Sequence, residues 1–294
     1  MKLALSTGVC AAGLSVLLVA QPAKVSIAIT PKPGQTVHYV TTQDLDIDVT
    51  PEAVAGTTPA FALPPMKVAS KTTLAFTMVT NAASPEGRIT SQVTYEQAKG
   101  EISLNGTPFS TGAALGDLVD KTFTIGFDAE GNVIETTAPD ASEATLASMK
   151  ALFAQMYKFY PAVSLSVGEA VNLPLSLKLP LPIPGGMPVS VDGLMTVKIA
   201  SLDQEGADRI ATGEQSYDGA LAHPAASGAA APGAAGVDMT MRGGGKLQIN
   251  VDQHLVKSSH VEMTIDGAVP SPAGGAGAPK LKIHGIMKLG VTGR

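Results

Sequence analysis

From residue 36 onward the chain changes polarity at nearly every second position, and that rhythm restricts it to β-strands with one buried face. In TVHYVTTQDLDIDV (36–49), Val37, Tyr39, Leu45, Ile47 and Val49 fall on odd positions, while His38, Thr42, Asp44, Asp46 and Asp48 fall on even ones. RITSQVTYEQ repeats the rhythm, with Ile89, Val93 and Tyr95 set among polar residues. Leu74, Phe76 and Met78 mark the strand before it; Phe123, Ile125 and Phe127 mark one after it, ending at a turn in DAEGN (128–132). Asn105-Gly106 predicts a tight hairpin turn. The last third supplies strands at 195–202, 207–217, 245–253, 256–266 and 280–291. The expectation is a mainly β, antiparallel fold of about a dozen strands, as curved sheets in a half-barrel or a sandwich.

Two stretches depart from the rhythm. In 139–161, Leu146, Met149, Leu152, Phe153, Met156, Tyr157 and Tyr160 recur at helical spacing, with Asp140 or Ser142 as cap and Pro161 as stop. This predicts one central amphipathic helix over 142–159, its apolar stripe on the face of a sheet. From Val171 to Ile183 every odd residue is aliphatic, while Pro174, Pro180 and Pro182 interrupt the even ones. Proline cannot donate to a ladder, so this segment is expected at a sheet edge. The loops 222–236 and 268–279, rich in Ala, Gly and Pro, lack bulky side chains and read as flexible connections.

The first 23 residues read as a secretory leader, with Lys2 before a charge-free apolar run from Leu3 to Val19 and a cut near Ala20 or Ala23. The run is at the short limit for a membrane span, so a retained anchor is the alternative, and the only membrane contact expected. The single cysteine, Cys10, lies inside the leader behind Val9, which argues against lipidation. Past the leader there is no thiol for a disulfide, a nucleophile or a metal site. A formal charge of −5 without a basic patch argues against nucleic acid as a partner. Beyond the leader the expected organisation is a first β unit at 24–138, the helix and Pro-rich connection at 139–186, and a second β unit at 187–294. The units share a loose repeat: residues 74–96 echo 194–218, and 124–135 echo 248–257, with Asp128 and Asp252 in register.

Catalytic and metal motifs are hard to find. An EF-hand-type loop starting at Asp44 would need Gly at its sixth place and Glu at its twelfth, where the chain has Val49 and Ala55. The three aspartates therefore read as the wet face of a strand, with a weak cation site as the alternative. His38, His223, His254, His260 and His284 show no i, i+4 pair. There is no G-x-S-x-G elbow. Gly243-Gly244-Gly245 is read as opening a strand rather than a helix, which excludes a phosphate loop. Asn105-Gly106-Thr107 is formally a glycosylation sequon, but the turn explains it better.

KPGQTVHYV (32–40), FTIGFDAEGNVIE (123–135) and YPAVSLSVGEAVNLP (160–174) resemble strand-and-turn units of uncharacterised secreted bacterial proteins with duplicated antiparallel β units. The layout is also similar, by fold analogy alone, to envelope lipoprotein carriers, in which a curved sheet wraps a helix around a greasy cavity. Function does not follow from that analogy; the one-sided aliphatic segment 171–183, the methionine-rich strands and the absence of catalytic motifs lead instead to the expectation of an exported, non-enzymatic envelope protein that needs no cofactor. A hydrophobic ligand, such as a lipid or acyl chain, is expected between sheet and helix, held by Phe76, Met78, Met149, Phe153, Leu177, Leu179, Met263 and Met287. The same side chains, with Met239 and Met241, would otherwise simply fill the core. A structural scaffold that meets another envelope protein along 171–183 is the alternative function. An enzyme would need a cluster such as His254, His260 and Asp252.

Overall fold

A computed structural model of the chain describes residues 24–27, 29–30, 32–52, 64–85, 87–109, 118–128, 132–139, 141–158, 163–179, 189–222, 238–270 and 280–294. Residues 1–23 with the expected leader and Cys10, and Asp140, Tyr160, Pro161, His223 and the 180–183 end of the Pro-rich segment, lie outside these residues.

The strands are β1 (Lys24–Ser26), β2 (Thr36–Pro51), β3 (Met66–Thr80), β4 (Ile89–Leu104), β5 (Thr107–Phe109), β6 (Thr122–Phe127) and β7 (Val133–Thr137). After helix α1 (Glu143–Lys158) come β8 (Ser164–Ser166), β9 (Ala170–Leu179), β10 (Val189–Glu205), β11 (Asp208–Ala222), β12 (Asp238–Asn250), β13 (Leu255–Pro270) and β14 (Lys280–Gly293). Twelve of them form one antiparallel sheet in the order β7-β6-β4-β3-β2-β14-β13-β12-β11-β10-β9, with β5 beside β4. Two meanders thus lie side by side, joined where β2 pairs with β14 from Pro51↔Leu281 to Tyr39↔Gly293. The sheet is curved and is not closed into a barrel; among the described residues β7 and β9 are its edges.

Alternation decides which face is buried. Along β14 the burial pattern is a near-strict alternation, with Leu281, Ile283, Gly285 and Met287 inside. Asp44, Asp46 and Asp48 point to the other side, where cross-strand neighbours neutralise most of them. Glu101, Lys71, Asp44, Lys288 and Glu262 stand opposite one another on five successive strands, alternating in sign. A second row runs Lys67, Asp48, His284, Asp266, with His284 Nδ1 2.6 Å from Asp266 Oδ1. Each opposite-charge pair contributes about 0.2–1 kcal/mol, and the rows keep the outer face wet.

Curvature comes from glycine and from bulges. Gly243 and Gly245 face inward from the middle of β12, not from its start as the sequence suggested. A Cβ there would stand 2.0 Å from the Glu262 carbonyl oxygen and 1.7 Å from that of His260. Only glycine lets β13 approach that closely. Ladder register shifts at Ala75/Phe76, Gly126/Phe127, Ile199/Ser201 and Gln248/Ile249, all towards one end of the sheet. Bulges of this kind bend strands and increase twist.

The helix starts as expected, with Ser142 Oγ accepting from the Thr145 amide at 3.2 Å. It is not central, however. Its contacts with the sheet concentrate on the edge strand β7, where Lys150 Nζ also donates to the Ile134 carbonyl. The short chain between β7 and the helix keeps it at that margin. Asn105 and Gly106, at φ +50° and +79°, form the predicted hairpin turn. Asp128 accepts from Asn132 to shape the next one.

Candidate functional site

The inner face begins with an aromatic ladder. Tyr39, Phe76, Tyr95 and Phe123 stack across β2, β3, β4 and β6 with successive ring centroids 5.4, 5.4 and 5.9 Å apart. Burial pushes the Tyr39 phenol up to about 12 and raises that of Tyr95 as well, so both stay neutral. Beyond the ladder the lining turns aliphatic and sulfur-rich. One row crosses seven strands as Leu173, Met195, Tyr217, Gly243, Met263, Met287 and Leu45. Of the proposed ligand residues, Phe76, Met78, Met149, Phe153, Met263 and Met287 share this single core, each between 1% and 6% exposed. Met263 and Met287 stand directly opposite each other. Met149 and Phe153 reach the core from the helix. Leu177 and Leu179 lie on β9 opposite Val191 and Val189, but their side chains are outside the described residues, as are those of Leu152, Met156 and Tyr157.

Among the described residues the buried polar ones, Thr80, Ser91, Gln215, Asn250 and Ser259, are all uncharged. Three polar groups meet in the core: Tyr217 donates to Gln215 Oε1 at 3.1 Å, and Gln215 Nε2 donates to Ser259 Oγ at 2.6 Å. Two surface hollows, of about 510 Å³ by Asp48, Asp266 and His284 and about 460 Å³ by Lys198, Glu214 and Lys246, lie on the outer face. Among the described residues no group of three or more His, Cys, Asp or Glu is placed to hold a metal ion.

The residues suggested for an enzyme are not brought together. His254 sits in the β12–β13 turn at φ +53°, its Nδ1 3.1 Å from the Thr30 hydroxyl. His260 is exposed on the outer face of β13, opposite Lys246 and Gly290. Asp252 is engaged by Arg209, with Nη2 at 2.6 Å and the Arg209 amide at 2.7 Å, and these bonds hold its carboxyl down at about 2.

The segment before β2 was overlooked in the strand pattern. Val25 and Ile27 are fully buried and Ile29 is 8% exposed, packed with Leu165 of β8. The alternation in VSIAIT (25–30) was the signal for it.

No protein-family model matches the chain, and neither does any of the curated proteins. A solved structure of lipovitellin, described for its lipid–protein interactions, is similar over 88% of this chain and 25% of that chain, with a TM-score of 0.44 and 10% identity. The chain therefore spans about a quarter of the length of that neighbour.

Proposed function

We propose that the protein is an exported, non-enzymatic binding module for a hydrophobic ligand, a lipid or acyl chain, taken up on the inner face of the curved sheet. The observation that carries this reading is the concentration of methionine there. Met78, Met149, Met195, Met239, Met241, Met263 and Met287 are buried in one core, out of eleven methionines in the chain. Unbranched thioether side chains change rotamer at low cost, so a face lined with them opens for an apolar guest more readily than one of Ile or Val. Among the described residues the sheet is open-edged, and the helix packs at its β7 margin. Envelope or secreted localisation rests on the leader; a cut at Ala23 would leave β1 whole, starting at Lys24.

The test is native mass spectrometry of the detergent-free protein, with titration of a fluorescent fatty acid. A bound mass of several hundred daltons that solvent extraction removes, or saturable uptake, supports the carrier. A clean apo mass with no uptake leaves these methionines as ordinary core.

A second reading has one observation in its favour. Strand β9 pairs only with β10 among the described residues, and Leu194, beside Pro174, is 51% exposed on that margin. An unpaired edge of this kind fits a scaffold that adds a strand from another envelope protein. Loss of pull-down partners on changing Leu177 and Leu179 to Lys would favour it over the carrier.

A further inference from the structure

We infer that the hollow of about 460 Å³ on the outer face, over β10, β11 and β12, is a site for a phosphate ester that also carries a primary ammonium, a phosphoethanolamine group. It lies on the opposite face from the methionine core, and every residue that lines it is described. Lys198, Glu214 and Lys246 stand side by side on the three strands, with Glu214 directly opposite each lysine, and all three are exposed. Elsewhere on this face such neighbours close on one another. Further along the same two strands, Arg242 Nε lies 3.1 Å from Asp218 Oδ1; on β13 and β14, Lys288 Nζ lies 3.5 Å from Glu262 and His284 Nδ1 2.6 Å from Asp266. The strand spacing therefore permits contact. Yet among the described residues no ion pair within 4.0 Å involves Glu214, Lys198 or Lys246.

Two ammonium groups and a carboxylate that could neutralise one another stand apart, and the hollow lies among them. Ala170 and Gly245 contribute a methyl group and bare backbone to its lining, which leaves room for a ligand. In the next row Thr196 and Ser216 face each other at its border. Thr196 Oγ1 donates to Asn172 Oδ1 at 2.8 Å, which leaves the Ser216 hydroxyl as the donor for a ligand oxygen. The three charges set the ligand class. A lone anion would meet the Glu214 carboxylate, and a lone cation would meet two ammonium groups, so either leaves like charges together. A ligand with both signs pairs with all three side chains. Two lysines to one glutamate ask for more negative charge than positive. A phosphate monoester carries about −1.5 to −2 at pH 7 and three acceptor oxygens, enough for both lysines and Ser216, while an ammonium two carbons away faces Glu214. A carboxylate, with a single negative charge, would leave one lysine unmatched. A purely anionic membrane surface fits poorly, because the same face also carries Asp46, Asp48, Asp192, Asp218 and Asp266. Phosphoethanolamine occurs both as a free ester and as a phospholipid head group, and both present the same two groups.

The test is a titration of the full chain followed by amide NMR. O-phosphoethanolamine should shift the amides of Lys198, Glu214, Ser216 and Lys246 saturably, and bind at least about threefold more tightly than inorganic phosphate or ethanolamine alone, the worth of one exposed ion pair. Glu214→Gln changes only the charge at an exposed strand position, so the sheet stays intact. It should abolish the preference for the ester over phosphate without weakening phosphate binding. Lys246→Gln should weaken the ester and phosphate alike, each by about threefold. Equal affinity for ester and phosphate, a preference that survives Glu214→Gln, or the lack of a saturable shift at these amides overturns the inference. Vesicles then separate the two sources. Co-sedimentation with phosphatidylcholine vesicles that contain phosphatidylethanolamine, lost in Glu214→Gln, assigns the site to a lipid head group. Binding of the free ester without co-sedimentation assigns it to a soluble phosphate ester. Neither result depends on whether the inner face takes up palmitate.

Discussion

A methyl group added at Gly245 would lie 1.7 Å from a backbone carbonyl, whereas one added at Gly34 would meet nothing within 4 Å. The two glycines are thus required for different reasons, space in one case and a φ of +79° in the other. Gly245→Ala must push β13 away from β12 and is expected to cost roughly 2–4 kcal/mol. Gly34→Ala carries only backbone strain, about 1 kcal/mol. Urea denaturation of both variants checks this, and equal losses would mean that β12 and β13 separate at no cost. His254 offers a separate residue-scale prediction. Burial first, then the Lys32 ammonium, lowers its pKa, while Asp252 opposes them. The unfolded chain then takes the proton first as pH falls, so the contribution is complete above the ordinary imidazole value of about 6.5 and declines as pH drops through it. His254→Asn tolerates the left-handed backbone and keeps a partner for Thr30. It should flatten the fall in thermal midpoint between pH 7 and 5. The Arg209–Asp252 bond does not confuse the test, because its contribution is lost only as pH falls below about 3.8 towards 2. An unchanged slope in the variant would show that His254 is not the titrating group.

At the scale of elements, what the sequence shows plainly is whatever sits half in water. β2, β4 and β14 each have one wet face, so their polar positions announce them; the row Asp44, Asp46, Asp48 is visible as a face for that reason. The helix was legible from its spacing and cap. Where it docks was not, because an apolar stripe does not name the strand it meets. The glycine run hid the centre of β12, since the residues that let the sheet curl carry no side chain to show a period. The Val25–Ile29 alternation was hidden by the neighbouring apolar run from Leu3 to Val19, which dominates that part of the chain. Two substitutions separate these elements. Ile27→Ala removes a fully buried side chain of the segment before β2 and is expected to cost about 2–5 kcal/mol. Ser142→Ala removes one cap bond from a helix at the margin and should cost about 1 kcal/mol. If chemical denaturation ranks them the other way, the segment before β2 is an appendage rather than part of the core.

For the whole molecule the decisive contact is the one least visible in sequence. Leu45 and Met287 face each other across β2 and β14, although nearly the entire chain separates them. A repeat between residues 74–96 and 194–218 describes two hairpins, β3–β4 and β10–β11, yet says nothing about which strands join the two meanders. Because Tyr39 and Leu45 on one side pack in the same core as Met263 and Met287 on the other, the two units have no separate interiors. They should unfold together. Near-UV circular dichroism from the buried tyrosines and hydrogen exchange at β3–β4 and at β10–β11 are expected to report one urea midpoint. Deleting 280–294 should abolish protection in both meanders, since it strips the partner from β2 and β13 at once. Survival of protected β2, β3 and β4 amides in that deletion would show that the first meander folds alone, and that the β2–β14 ladder joins two finished domains instead of completing one.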